Sequence, residues 1–490
     1  MRTSEGLQPA PAEVVIDTRP LWRILAGRTY RPVVLVAGAL AFLGVRALGP
    51  IEGLSAQGQA ALSVFAVCVI YWCSNAVPLM VTSLLAMVLL PATGALQAKD
   101  TYALFGNEAV FFILGAFILA AALMKCGLST RIALGILRRF GHTPRSLLAS
   151  MYLMNALLSF FMSEHAVAAM TFPITLEIAR VLRLDSRRSN YARALFLCLA
   201  WGTSIGGIAT LLGGGRAPLA IGMLKETTGQ SFSFLEWSVT AWPLVIVLLG
   251  IGWIIITRFF PIDITSVRDA DVIIEEKSLR MGRMSPREQA IGLLMLATLT
   301  AWMVLGEEFG LAAIALGAVV AMFLLNLVAW GDVEEYVNWG VLLMYGGAIA
   351  LGAALNRSGA AGWMAGLLVQ HLASGPVTVV ALLSAISIVL TEAMSNSAVV
   401  ALLLPVAFGI AQQFGIDAQV MAPAIALPAG LGFTLPVGTP ANAIAYSSGY
   451  LRLRDMLLPG ALLSFASWVA FNLVAIYYWP LVGLSLAPAH

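Results

Sequence analysis

Met162-Ser163-Glu164-His165-Ala166-Val167-Ala168-Ala169, followed by Pro173, and Met394-Ser395-Asn396-Ser397-Ala398-Val399-Val400-Ala401, followed by Pro405, are two versions of one phrase, 232 residues apart throughout. Each sets a polar tripeptide between apolar arms. A second pair follows in the same order: Thr210-Leu211-Leu212-Gly213-Gly214-Gly215-Arg216-Ala217 in the first half, and the stretch closing on Leu435-Pro436-Val437-Gly438-Thr439-Pro440-Ala441-Asn442 in the second. Two matched pairs in one order indicate an internal duplication. Helical backbone inside lipid must satisfy its own hydrogen bonds, so polar interruptions persist only where they are buried or line a cavity. The pattern therefore predicts a hairpin over 144–183 and a broken helix over 190–228, repeated as a hairpin over 376–415 and a broken helix over 418–450.

Composition places these elements in a membrane. Hydrophobic residues make up 60% of the 490 residues and charged residues only 11%, with a mean hydropathy of +0.90; a soluble domain carries about 25% charge. Apolar runs near the length needed to span, roughly 20 residues, include Val33–Leu48, Leu104–Met124, Leu244–Phe260, Ala290–Leu305, Leu311–Val328 and Leu462–Tyr478. The fold class expected is an all-α polytopic membrane protein of about eleven crossings. Met1–Arg31 is interrupted by Pro9, Pro11 and Glu13 and reads as a cytoplasmic tail, 1–32, with an interfacial helix around Leu21–Thr29. Cys68, Cys73, Cys126 and Cys198 lie in or beside apolar runs and show neither metal spacing nor a disulfide framework.

The net charge is +3, but its distribution is more informative. Basic residues cluster in Arg19–Arg31, Lys125–Arg145, Arg180–Arg193, Arg258–Arg287 and Arg452–Arg454. The positive-inside rule puts all of them in the cytoplasm, with the N-terminus inside, the C-terminus outside and the protein in a bacterial-type inner membrane. No basic stretch, Arg187-Arg188 included, is interleaved with exposed aromatics, which excludes a nucleic-acid surface. The charged segment Pro261–Glu288, without apolar periodicity, reads as a cytoplasmic linker between repeats at 33–260 and 289–490. Both ends of the first hairpin carry cytoplasmic charge, near Arg145 and Arg180; the second hairpin follows an odd number of further crossings and opens to the outside. Inverted repeats of this kind hold their ligand at the repeat interface.

At such a tip, free N–H groups attract anions and free carbonyls attract cations. Gly213, Gly214 and Gly215, and Gly438-Thr439-Pro440, break the next helix of each half and let backbone approach a ligand closely. Packing of helices through small residues is the plain alternative; four polar tips together favour a binding site.

Ser395-Asn396-Ser397, preceded by Thr391-Glu392 and followed by Leu403-Leu404-Pro405, resembles the Ser-Asn-Thr hairpin tip of the divalent-anion/sodium symporter family, which includes INDY-type dicarboxylate, citrate and sulfate carriers. The run from Leu435 to Ile444 resembles that family's Leu-Pro-Val-Ala-Thr-Pro-Pro-Asn-Ala loop, and Ser448-Gly449-Tyr450, Val77-Pro78-Leu79 and Pro91-Ala92-Thr93-Gly94 also fit. The resemblance covers nearly the whole chain from about residue 30. It implies a homodimer in which a transport domain moves against a fixed scaffold like an elevator, and a substrate contacted by Ser395, Asn396, Ser397 and Thr439. It implies a sodium site of Thr391, Asn396 and the Gly438 carbonyl, with sodium as coupling ion and no other cofactor. A hard cation takes such oxygen ligands.

The first half departs from the family pattern. Ser163-Glu164-His165 stands where Ser-Asn-Thr is expected, and Gly213-Gly214-Gly215-Arg216-Ala217 where Gly-Thr-Pro-Pro-Asn is expected. Ser159, Ser163 and Gly213 remain as ligands for a first sodium ion. Glu164, His165 and Arg216 join the candidate substrate site, because charge at membrane depth usually pairs or works; a structural Glu164–Arg216 ion pair is the alternative for two of them. Glu392 reads as a supporting residue, and His142 and His371 as solvated helix ends. The function expected is secondary transport of a small, divalent anion, a dicarboxylate or sulfate/sulfonate, coupled to sodium. Sodium-independent exchange or proton coupling on the same fold, through His165 for instance, is the rival. An enzyme using Glu164 and His165 lacks a nucleophile or metal cluster, so no catalytic residue is assigned; a channel or sensor is the remaining class.

Overall fold

A computed structural model describes residues 21–186, 188–372 and 375–486. Most of the expected tail and Arg187 therefore lie outside the described residues, as does the side chain of His371. Among the described residues every regular element is helical. Among the described residues, seven helices are long and apolar enough to cross a membrane: Thr29–Ala47, Ala56–Ser74, Ala98–Lys125, Phe234–Phe259, Trp339–Arg357, Asn396–Phe414 and Leu453–Val482. Shorter apolar helices at Leu79–Ala92, Leu311–Leu324, Pro376–Thr391 and Ala418–Gly430 accompany them. Large apolar side chains such as Ile246, Leu293, Val304, Leu324, Val389 and Leu481 stand exposed. A soluble monomer seldom exposes broad apolar patches, so these faces are suited to lipid.

One expectation is corrected here. The segment Leu21–Thr29 is not a separate interfacial helix, because one helix runs unbroken over Leu21–Ala47. Within the linker, Arg268–Arg280 is a helix that buries Ala270 and Ile274, a contact too narrow to register as apolar periodicity. It is anchored at several points, with His142 3.7 Å from Asp271, Arg138 bonded to Ser278 at 3.5 Å and Arg131 bonded to the carbonyls of Met281 and Gly282.

These anchors gather the basic clusters at one end of the molecule. Asp263 accepts from the backbone N–H groups of Asn190 and Tyr191, and Arg193 lies 3.4 Å from Asp455. Asp332 lies 3.2 Å from Lys125 and 3.5 Å from Arg287. At the other end, Glu108 pairs with Lys225, Asn356 bonds to Thr227 at 3.2 Å, and Gln412, Ile416 and Ala418 line a cavity with Thr227 and Thr228.

Between these ends the duplication is visible in the backbone. The first hairpin consists of Pro144–Leu158 and Glu164–Val181; the second, of Pro376–Thr391 and Asn396–Phe414. Both first arms begin on a proline, which suits the first helical turn because its missing N–H would be unpaired there anyway. Both second arms are capped by serine: Ser163 Oγ accepts from Ala166 N at 3.4 Å and Ser395 Oγ from Ala398 N at 3.3 Å. The base of the first hairpin lies at the basic end, where Tyr191 donates to the Pro144 carbonyl at 2.9 Å. The base of the second lies beside Thr228 at the other end.

The first broken helix is Asn190–Gly206 and Arg216–Thr228. The second is Ala418–Ala426 with a short turn Pro428–Gly430, then Pro440–Ser447. Gly206 and Gly430 end the leading segments and Arg216 and Pro440 begin the trailing ones, so these positions correspond at a shift of 224. The close packing needs its glycines. A Cβ on Gly202 would stand 2.4 Å from the Tyr152 carbonyl oxygen, and one on Gly206 would stand 2.2 Å from that of Ala156. The broken helix therefore lies directly on the first arm of its hairpin, as small residues four apart allow in membranes.

Candidate functional site

The two tripeptides whose likeness suggests the duplication meet in the structure. Asn396 Nδ2 donates to Glu164 Oε1 at 2.9 Å across 232 residues of chain, and both residues are buried. Arg216 Nη1 donates to the same oxygen at 3.2 Å, forming the expected ion pair. The Arg216 side chain is only 2% exposed. Burying a charge costs several kcal/mol unless it is paired and hydrogen-bonded, which explains why two formally charged residues can persist here. The pair is incompletely satisfied, however: Glu164 Oε2 and Arg216 Nη2 are both buried without a protein hydrogen-bond partner among the described residues.

The breaks in the helices bring the remaining pieces into place. Glu164 N donates to the Gly213 carbonyl at 2.9 Å, fixing the first tip to the first break. The Gly215 carbonyl accepts from Tyr345 on the helix Trp339–Arg357, and a Cβ on Gly215 would stand 3.0 Å from Ser397 Oγ. Ser204 and Thr439 hydroxyls lie 3.3 Å apart, joining the first broken helix to the second. Thr439 also caps the trailing segment of its own half by accepting from Asn442 N at 3.1 Å.

A cluster of oxygens surrounds Asn396 on its other side. A carboxylate only accepts, so Asn396 must turn its amide nitrogen to Glu164 and its carbonyl oxygen away from it. That oxygen accepts from Thr391 Oγ1 at 2.9 Å, and Thr391 Oγ1 also lies 2.7 Å from the Ala429 carbonyl oxygen. Oxygens of this kind, a hydroxyl, an amide oxygen and a backbone carbonyl, are what a hard cation takes as ligands. The carbonyl beside Thr391 is thus that of Ala429, whereas Gly438 lies against Glu392, whose Oε2 would be 3.0 Å from a Cβ there.

Not every candidate joins the cluster. The His165 side chain is exposed and takes part in none of the described side-chain hydrogen bonds. Ser159 Oγ donates to the Asn155 carbonyl at 2.9 Å, inside its own helix, and Ser163 and Ser395 act as helix caps at partly exposed positions. Glu392 has a larger structural part than the sequence indicates. Its carboxylate accepts from the backbone N–H groups of Phe433, Thr434 and Leu435 at 2.8–3.2 Å and from Ser464 Oγ at 3.3 Å. Sequence reasoning missed Gly207 and Gly430. A Cβ on Gly430 would stand 2.6 Å from Arg216 Nε, and one on Gly207 would stand 3.5 Å from Nη2. With Gly214, whose Cβ would be 2.7 Å from Nη1, they form a slot fitted to the guanidinium.

Comparison with known proteins agrees with this architecture. The family profile described as the sodium:sulfate symporter transmembrane region matches residues 31–485. The chain is 29% identical over 474 residues to the sodium-dependent dicarboxylate transporter SdcS of Staphylococcus saprophyticus, covering 91% of each chain. It is 28% identical over 478 residues to SdcS of Staphylococcus aureus, again covering 91% of each. Among solved structures it shares its fold with MtrF of Neisseria gonorrhoeae, described as an antimetabolite efflux pump, at a TM-score of 0.56 and 14% identity, over 89% of this chain and 98% of that one. It also resembles the YdaH transporter of Alcanivorax borkumensis, at a TM-score of 0.53 and 14% identity, over 80% and 88%. Two matched hairpins, two matched broken helices and a family match across nearly the whole length lead to one identification: the chain belongs to the divalent-anion/sodium symporter family, whose members are transporters and not enzymes.

Proposed function

We propose that this protein is a sodium-coupled secondary transporter of a small divalent anion, a dicarboxylate or sulfate/sulfonate. The observation that carries the reading is the meeting of the two hairpin tips through Asn396 and Glu164. That contact joins an anion-attracting surface, made of helix N-termini and Arg216, to an oxygen cluster suited to a cation. Arg216, Asn396, Ser397 and Thr439 contact the anion, and Glu164 holds Arg216 and Asn396 in place. Thr391 Oγ1, Asn396 Oδ1 and the Gly438 carbonyl bind sodium, and the Ala429 carbonyl joins them. Hairpins and broken helices move together as a homodimer's transport domains, each hairpin re-entrant from one side of the inner membrane. The basic end faces the cytoplasm.

One observation favours sodium-independent exchange instead: the first tip already holds a fixed ion pair where an exchangeable cation would bind. Uptake of labelled succinate and of labelled sulfate into proteoliposomes separates the two readings. An inward sodium gradient should drive accumulation of one of these anions, and replacing sodium by potassium should abolish it. Equal uptake without sodium, driven only by internal anion, would replace coupling by exchange.

A further inference from the structure

We infer that the site selects a dianion that also carries a hydrogen-bond donor, a hydroxylated dicarboxylate in preference to a plain dicarboxylate or sulfate, because Arg216 offers the ligand a donor and Glu164 an acceptor. This selection rests on the anion-transport reading above.

It lies in the two atoms that the ion pair leaves unused. Glu164 Oε1 accepts from both Arg216 Nη1 at 3.2 Å and Asn396 Nδ2 at 2.9 Å. The pair is held at this single point, although arginine and a carboxylate commonly bond at two. Glu164 Oε2 and Arg216 Nη2 are buried without a protein partner, on side chains that are 7% and 2% exposed. Among the described residues no other ion pair leaves a buried, unpartnered atom on both its acid and its base.

The two atoms have opposite needs. A guanidinium nitrogen only donates, and an ionised carboxylate oxygen only accepts. Leaving either without a partner in a buried site is costly. They sit on the two sides of one contact 3.2 Å long, so a single small molecule can meet both. The other groups of the site do not make this choice. The Ser397 and Thr439 hydroxyls serve as donor or acceptor, and helix N-termini favour any anion. Net charge does not choose either, since Glu164 cancels Arg216.

Sulfate or a plain dicarboxylate dianion presents only acceptors. Seated on Arg216 Nη2, it would leave Glu164 Oε2 unpaired beside a like charge. A hydroxyl on the ligand removes that conflict: the ligand carboxylate accepts from Arg216, and the hydroxyl donates to Glu164. A site that hydrogen-bonds a substrate hydroxyl rejects the analogue lacking it, because its own buried polar group is then stranded.

L-malate and succinate differ by one hydroxyl, and the test compares them as labelled substrates of sodium-driven uptake into proteoliposomes, at a pH where both are dianions. Wild-type protein should half-saturate with L-malate at a concentration roughly tenfold below that for succinate, as one hydrogen bond to a charged group implies. Unlabelled sulfate should compete no better than succinate. Glu164→Gln turns the acceptor into a donor: its amide oxygen must face Arg216 Nη1 and Asn396 Nδ2, both donors, so its amide nitrogen takes the place of Oε2. The preference should then reverse, with succinate half-saturating at or below the L-malate concentration. If the variant fails to fold, the wild-type ratio still decides. Equal half-saturation in the wild type, or tighter succinate, would overturn the inference, as would uptake of sulfate but of neither dicarboxylate. A Glu164→Gln variant that weakens both dicarboxylates in proportion would reduce Glu164 to a structural partner and overturn it too. Sodium-independent uptake that keeps the wild-type ratio is a different result, which overturns the coupling and upholds the selection. Uptake of none of the three anions overturns the transport reading itself.

Discussion

Gly430→Ala adds one methyl group to the second half, 214 positions from the arginine it is expected to disturb. The added Cβ would stand 2.6 Å from Arg216 Nε, 2.6 Å from Ile208 Cγ2 and 2.7 Å from Arg216 Cζ. Ordinary contact begins at 3.4 Å, so the guanidinium must retreat by about 0.8 Å. Its bond to Glu164 is already 3.2 Å long and would stretch toward 4 Å, outside hydrogen-bonding range. Overpacking a full site costs about 1–3 kcal/mol, and losing a hydrogen bond to a charged group costs about 1.5–3 kcal/mol. The total loss should lie between about 2.5 and 6 kcal/mol, and uptake should fall by at least about tenfold, since 1.4 kcal/mol corresponds to a factor of ten. Thermal unfolding in detergent and initial uptake rates in proteoliposomes measure the two effects. Gly250→Ala is the control, because nothing lies within 4 Å of a Cβ on that exposed helical glycine. If Gly430→Ala matches the control in both assays, Arg216 is not held by a close-fitting slot and the reasoning fails.

Three other substitutions probe separate parts of the architecture. Asn396→Ala removes a cation ligand and the bridge between the tips at once, so transport should disappear while the protein still folds and elutes as wild type; normal uptake by the folded variant would exclude Asn396 from the site. Glu392→Gln leaves the N–H groups of Phe433, Thr434 and Leu435 without a carboxylate to share, and should cost about 1.5–3 kcal/mol of stability with slower uptake; unchanged unfolding would mean that the loop holds itself. At the basic end, the Ala329 N–H, together with Lys125 and Arg287, holds the Asp332 carboxyl below its ordinary value despite partial burial. A lowered folded-state pKa stabilises at pH above the unfolded value and loses that contribution as pH falls through the folded one. The stability difference between wild type and Asp332→Asn should therefore stay constant from neutral pH down to about pH 5 and shrink only below about pH 4; a difference that already vanishes near pH 6 would show that Asp332 is not the titrating group.

Legibility in the sequence follows spacing. Ser163-Glu164-His165 and Ser395-Asn396-Ser397 are recognisable because a repeat preserves position along the chain, and the boundaries at Pro144, Pro376, Glu164 and Asn396 are legible for the same reason. The membrane environment follows from composition, because apolar surface on this scale is stable only against lipid. The approach of Glu164 to Arg216 is also anticipated, since buried opposite charges at neighbouring breaks must find each other.

The partners made by three-dimensional closure are not legible. Ala429 turns its carbonyl to Thr391, which the sequence does not reveal, because carbonyl direction depends on backbone path and leaves no trace in residue type. Gly430 reads as one more small residue in an apolar helix until folding brings Arg216 against its missing side chain. His165 is adjacent to Glu164 in sequence, but the first turn of its helix sends the two in different directions, one exposed and one buried. By itself, the sequence determined the repeats, the breaks and the charges placed at them. The tertiary structure alone decided which atoms those charges meet, because distances between segments hundreds of residues apart are set by packing and not by local pattern.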